Sequence, residues 1–140
     1  MRNALIVAVA LTCFGAEKPR LSPAIQEIVR GVSEIRIEAT LKKLEGFGTR
    51  YILSAQDDPS HGIGAAQRWI HQEFQSYSPR LEVSYDTFTL NKGAGSRAQV
   101  IRDVDLANVV AVLPGTIYKD RYVLVTAHYD SLALPKGKRS

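Results

Sequence analysis

The stretch Tyr122-Val123-Leu124-Val125-Thr126-Ala127 constrains this chain most: it is nearly all apolar and runs directly into His128-Tyr129-Asp130-Ser131. A strand with one wet face alternates apolar and polar residues, whereas an unbroken β-branched-rich run suits a strand covered on both faces. A second such run, Val109–Leu113, lies just upstream and is closed by the Pro114-Gly115 turn. Strands of this kind need sheet neighbours beside them and helices above and below.

The preceding sequence supplies helices. Ser22-Pro23 offers a hydroxyl cap and then a first-turn proline, whose missing N–H costs nothing there. Ile25, Ile28, Val29 and Val32 follow at helical spacing, Gly31 and Ser33 predict a break, and Ile37, Leu41 and Leu44 predict a second helix ending at Gly46. Gly46-Phe47-Gly48-Thr49-Arg50 is a loop by composition. The turn-rich Asp57–Gly62 leads into a third helix, whose Ile63, Ala66, Ile70, Phe74 and Tyr77 share a face flanked by Trp69. Ser78-Pro79 ends it. Leu81–Leu90 alternates well enough for a strand of the same sheet, and Asn91–Arg97 is a Gly-containing loop. The expected fold class is α/β, N-terminal helices followed by the first strands of a mixed sheet. No internal repeat and no linker between domains is visible.

Hydrophobic residues at 45% and charged residues at 23% are ordinary globular usage, which argues against disorder. A single cysteine excludes a disulfide framework and a Cys-rich zinc finger. The net charge of +4 is spread along the chain, so nucleic-acid binding has no positive support and none is expected. Arg2 precedes Ala4–Phe14, where only Thr12 is polar. That run falls short of the roughly 20 residues of a membrane span but fits the apolar part of a secretory leader. Cleavage after Gly15 places small residues at Cys13 and Gly15, and cleavage after Ala16 would place Phe14 there instead. Residues 1–16 are therefore expected to be a signal peptide of a secreted or periplasmic protein, with no stable membrane span. Ala10-Leu11-Thr12 is a poor lipidation box, so anchoring at Cys13 is not expected. Removing the leader removes the cysteine and with it any thiol nucleophile.

His128 and Asp130 are the candidate chemical pair. Side chains two apart on a strand project to the same side, and ligand crevices of open α/β sheets lie at the carboxyl ends of strands. A metal-bound imidazole usually donates its other N–H to a carboxylate, so His-x-Asp can supply a ligand and its orienting partner together. On spacing alone the signal is weak, and a loop histidine bonded to a nearby acid explains the pair better. His71, beside the buried helix face, and His61, in a turn, suit structural roles. Asp57-Asp58 before Pro59 suits a turn, and Lys136–Arg139 suits a solvated tail. Gly93-Ala94-Gly95-Ser96 is no nucleophile elbow, since position 98 is alanine, and Gly62-Ile63-Gly64 lacks the third glycine of a phosphate loop.

Four segments in order raise the specificity. They are Leu44 through Gly48-Thr49-Arg50; Gly64-Ala65-Ala66 with Trp69-Ile70 and Phe74; Asn108-Val109-Val110-Ala111-Val112-Leu113-Pro114-Gly115; and Arg121 through His128-Tyr129-Asp130-Ser131. Together, over about Val32 to Ser131, they resemble the co-catalytic zinc exopeptidases of metallopeptidase family 28, the leucyl aminopeptidase and glutamate carboxypeptidase-like enzymes. The resemblance implies a zinc-exopeptidase (phosphorylase/hydrolase-like) domain, of which residues 17–140 are the N-terminal part. It implies hydrolysis of a peptide substrate with two zinc ions as cofactors, His128 as ligand to one, and Asp130 as the catalytic-site carboxylate orienting it. The family's remaining ligands and its Glu-Glu pair have no counterpart in this chain. The chain by itself is therefore expected to be truncated, poorly stable and inactive, and to bind zinc only weakly. The other reading is a non-catalytic fragment or interaction module. Substrate side chain, amino- versus carboxypeptidase preference and oligomeric state are not encoded in these residues.

Overall fold

The computed structural model describes residues 21–94 and 100–132. The expected leader with Cys13, and the Lys136–Arg139 tail, lie outside the described residues. The chain divides into two compact units, one ending at Glu34 and one beginning at Ile35.

The first unit contains α1, Pro23–Arg30, built as the sequence predicts. The Ser22 hydroxyl accepts from the Ile25 N–H at 3.4 Å, and Pro23 opens the first turn. Gly31 closes it without leaving the right-handed region, its N–H donating to the Glu27 and Ile28 carbonyls.

The second unit carries almost all of α2 (Glu34–Gly46) and the whole of α3 (Gly62–Tyr77), β1 (Glu82–Leu90) and β2 (Val104–Val112). On α2, Ile35, Ile37 and Leu41 are exposed, and Leu44 packs inward. The core is small: Phe47, Ala65 and Ala66, with Leu44, Trp69 and Tyr129 packed on it, and Ile63, Val100 and Val104 also buried. Its centre is the start of α3, where residues 62–66 are all buried. His61 offers this helix no side-chain cap. The orphan N–H groups are met instead by the preceding loop, Ile63 donating to Ser54 Oγ at 2.9 Å and Gly64 to the Ala55 carbonyl at 3.2 Å. Two glycines permit this approach. Gly62 has φ +80°, and a Cβ on Gly64 would stand 1.8 Å from the Gln56 carbonyl oxygen. The small-residue run Gly62–Ala66 is thus where loop backbone and helix backbone touch.

β1 and β2 form a two-stranded antiparallel sheet, in register from Glu82 opposite Val112 to Leu90 opposite Val104. Helix α3 packs on both strands, and the His71 ring stacks on Tyr85 at 4.4 Å. His71 is thereby a boundary residue of the helix–sheet contact.

The structure departs from two of these expectations. β2 begins at Val104, upstream of the apolar run; Asp105 and Asn108 break the apolar pattern but bond across to Thr89 (2.7 Å) and Asp86 (3.3 Å). Val109–Leu113 is not covered on both faces, since Val110, Val112 and Leu113 are exposed while Val109 and Ala111 are half-buried. More consequentially, Tyr122–Ala127 forms no strand among the described residues, and Tyr122 to Val125 are exposed at 84–95%. The mixed sheet is accordingly represented by one antiparallel pair, and His128 does not sit at the end of a regular strand. The physical reason is that a doubly covered strand exists only against neighbours. Among the described residues nothing pairs with this run until Ser131 meets Arg50.

Candidate functional site

The structure brings His128 and Asp130 together. His128 Nδ1 lies 3.0 Å from Asp130 Oδ1, and the two-residue spacing puts both on one side of the chain. The imidazole is 94% exposed and the carboxylate 51%. With Nδ1 engaged, Nε2 is left facing open solvent.

Tyr129, between them, turns the other way. Its ring packs against the Phe47–Ala65–Ala66 core, and its hydroxyl donates to the Ala107 carbonyl of β2 at 2.7 Å. Burial pushes the Tyr129 phenol above its ordinary value, with the negative charge of Asp130 adding to the shift. The segment is thus anchored inward at Tyr129 and displays its polar pair outward.

The second anchor is Arg50. Its main chain exchanges both hydrogen bonds with Ser131, N–H to carbonyl at 2.9 Å and the reverse at 3.1 Å. Its guanidinium Nε donates to the Tyr129 carbonyl at 2.7 Å, while Nη1 reaches the Leu44 carbonyl and, at 3.2 Å, that of Gly48. The sequence marks Gly48-Thr49-Arg50 as a loop by composition and singles it out by the resemblance, without indicating what the arginine touches. That contact spans 79 positions, and no local periodicity announces it.

An open recess beside Asp130 is lined by Gln56, Ile63, Gln67, Leu106 and Asn108 among others. Among the described residues Asp130 is the one carboxylate in its wall. Among the described residues no three His, Cys, Asp or Glu side chains gather into a group that could hold a metal. His61 is exposed elsewhere, 2.8 Å from Ser60 Oγ. Its neighbour Asp58 accepts the Ser60 N–H at 2.7 Å, the Ser60 hydroxyl and the His61 N–H. These bonds hold the Asp58 carboxyl below its ordinary pKa. This cluster is a helix-entry turn, backed by Arg68 donating to the Gln56 and Asp58 carbonyls. Among the described residues, the donor set at His128 is one imidazole with one carboxylate beside it.

No family model matches the chain, and no solved structure matches it. Curated relatives do. It is 41% identical over 111 residues to a probable zinc metalloprotease of Pyrenophora teres f. teres, covering 76% of this chain and 23% of that protein. A probable zinc metalloprotease of Phaeosphaeria nodorum is 40% identical over 111 residues, covering 76% of this chain and 22% of its own length. One of Pyricularia oryzae is 37% identical over 137 residues, covering 86% of this chain and 26% of its own length. The chain thus spans about a quarter of the length of these relatives. No helix among the described residues is long and apolar enough to cross a membrane.

Proposed function

We propose that this chain supplies part of the active site of a zinc-dependent peptidase, with His128 as a zinc ligand and Asp130 as the carboxylate that orients it. The observation that carries the reading is the 3.0 Å contact of His128 Nδ1 with Asp130 Oδ1 on an otherwise open imidazole. Asp130 accepts a hydrogen bond from Nδ1–H, which leaves the lone pair on Nε2, fixes the ring orientation and raises the ligand's basicity. Zinc, when bound, supplies Lewis acidity toward a scissile carbonyl and acidifies water. Tyr129 and Arg50 hold the backbone between and beyond the pair, so the pair is presented from an anchored segment. The relatives named as probable zinc metalloproteases support the same assignment.

The finer reading is an exopeptidase of the family 28 type, removing N-terminal residues from a peptide with two zinc ions. The four ordered segments from Leu44 to Ser131 support it. A catalytic zinc uses three protein ligands, so the remaining ligands and the proton-shuttling carboxylate come from outside the described residues. Export through a leader at residues 1–16 belongs to this reading. N-terminal sequencing of the exported protein should find a start at Ala16 or Glu17.

The second reading, a non-catalytic interaction module, draws on the absence of a three-donor group among the described residues. Substitution separates the two. In the full-length protein, His128→Ala should lose zinc and peptidase activity together. Asp130→Asn should retain more of the metal yet lose activity by about 10–100-fold. Full zinc content and undiminished turnover in His128→Ala would overturn the assignment, and zinc content with aminopeptidase kinetics measures both.

A further inference from the structure

The guanidinium of Arg50 is spent on backbone carbonyls. It donates to Tyr129 from one edge and to Leu44 and Gly48 from another, so it ties the end of α2 and its following loop to the residue between His128 and Asp130. Its main chain simultaneously pairs with Ser131. An arginine kept for a substrate carboxylate would present its fork to solvent. This one is half-buried and faces its own chain.

We infer that Arg50 is a positioning residue for the proposed metal site: it fixes the Tyr129 peptide, and through it the relative placement of His128 and Asp130. Among the described residues little else does so. Tyr122–Ala127, which leads into the pair, makes no strand pairing among the described residues, so the pair's placement rests on contacts at Tyr129 and Ser131. Tyr129 is held on one side through its hydroxyl on Ala107 and on the other through its carbonyl on Arg50. A planar guanidinium can address carbonyls in two directions at once. A lysine ammonium, a point donor on a flexible stem, cannot hold the same arrangement. The inference rests on the zinc reading of His128 proposed above.

The test is Arg50→Lys in the full-length protein, with Arg50→Gln, uncharged but still an N–H donor, beside it. Zinc affinity is measured with zinc alone, by competition against a chromophoric chelator. Peptidase kcat and KM and the thermal midpoint are taken on the same samples. Arg102→Lys is the structural control, because it also removes a guanidinium–carbonyl bond (to Leu53 at 3.3 Å) away from the pair. The expected result is a folded Arg50→Lys whose zinc affinity and kcat each fall about 10–100-fold while KM changes little. Arg102→Lys should keep both. An active wild type with Arg50→Lys unchanged in zinc affinity and kcat would overturn the positioning role and leave the zinc reading standing. A wild type with neither zinc nor peptidase activity would overturn the zinc reading and this inference with it. If neither Arg50 variant folds, the arginine is a stability residue and the positioning role is overturned.

Discussion

The start of α3 and the Tyr122–Ala127 run are both nearly free of polar side chains, yet they end up in opposite environments. Residues 62–66 are buried to the last one, with loop backbone pressed onto helix backbone through Gly62 and Gly64. The equally apolar Tyr122–Val125 stands in solvent. The helix start finds its hydrogen-bond partners nearby in sequence, Ser54 and Ala55 nine residues back and Phe47 fifteen. A strand meant to be covered on both faces has no local partners at all. Hydrophobicity says that a segment must be covered; where the cover comes from depends on what lies nearby in sequence.

The covered region is most vulnerable at Gly64. Gly64→Ala places a Cβ where the Gln56 carbonyl now is, and backbone, unlike a flexible side-chain tip, cannot step aside cheaply. The loop must lift from the helix, opening the bonds from Ile63 and Gly64 together. A loss of about 3 kcal/mol or more in denaturant unfolding is expected, at the upper end for overpacking. A loss below about 0.5 kcal/mol would show that the close approach is not a structural requirement.

Leu124→Ala sharpens the other half. In the 140-residue chain Leu124 is 85% exposed, and truncating it should change stability by no more than about 0.5 kcal/mol. If the run lies between sheet neighbours in a longer parent protein, the same substitution there should cost about 2–5 kcal/mol. Equal and negligible effects in both would show that this run is never covered, and the doubly buried strand would be withdrawn.

Much of this was legible from the chain itself. Ser22-Pro23 and the stripe from Ile63 to Tyr77 mark α1 and α3, and alternation marks β1, because these elements are specified by neighbours in sequence. The first half of β2 was not, since Asp105 and Asn108 hide a strand whose polar side chains are satisfied across the ladder by Thr89 and Asp86. The His128–Asp130 contact follows from a period of two. Arg50 does not, because a side chain serving carbonyls 6 and 79 positions away leaves no periodic trace.

Tyr129 is where the two regions meet, which makes it the finest probe of the comparison. Its ring belongs to the covered core and its carbonyl to the exposed segment. Tyr129→Phe keeps the packing and deletes only the bond to Ala107. A cost of about 1 kcal/mol near neutral pH is expected, the usual net worth of one hydrogen bond. The pH dependence supplies a second sign. Burial raises the phenol's pKa in the folded chain above its ordinary 10.0, so the folded state holds that proton more tightly than the unfolded state. The resulting stabilisation is full below pH 10 and is lost as pH rises through the raised value. The wild type should therefore weaken more steeply than Tyr129→Phe above pH 10, and the gap between the two unfolding midpoints should narrow there. Parallel alkaline limbs would mean that the Tyr129 hydroxyl titrates as if in water, and that the segment bearing His128 and Asp130 is not held to β2 by it.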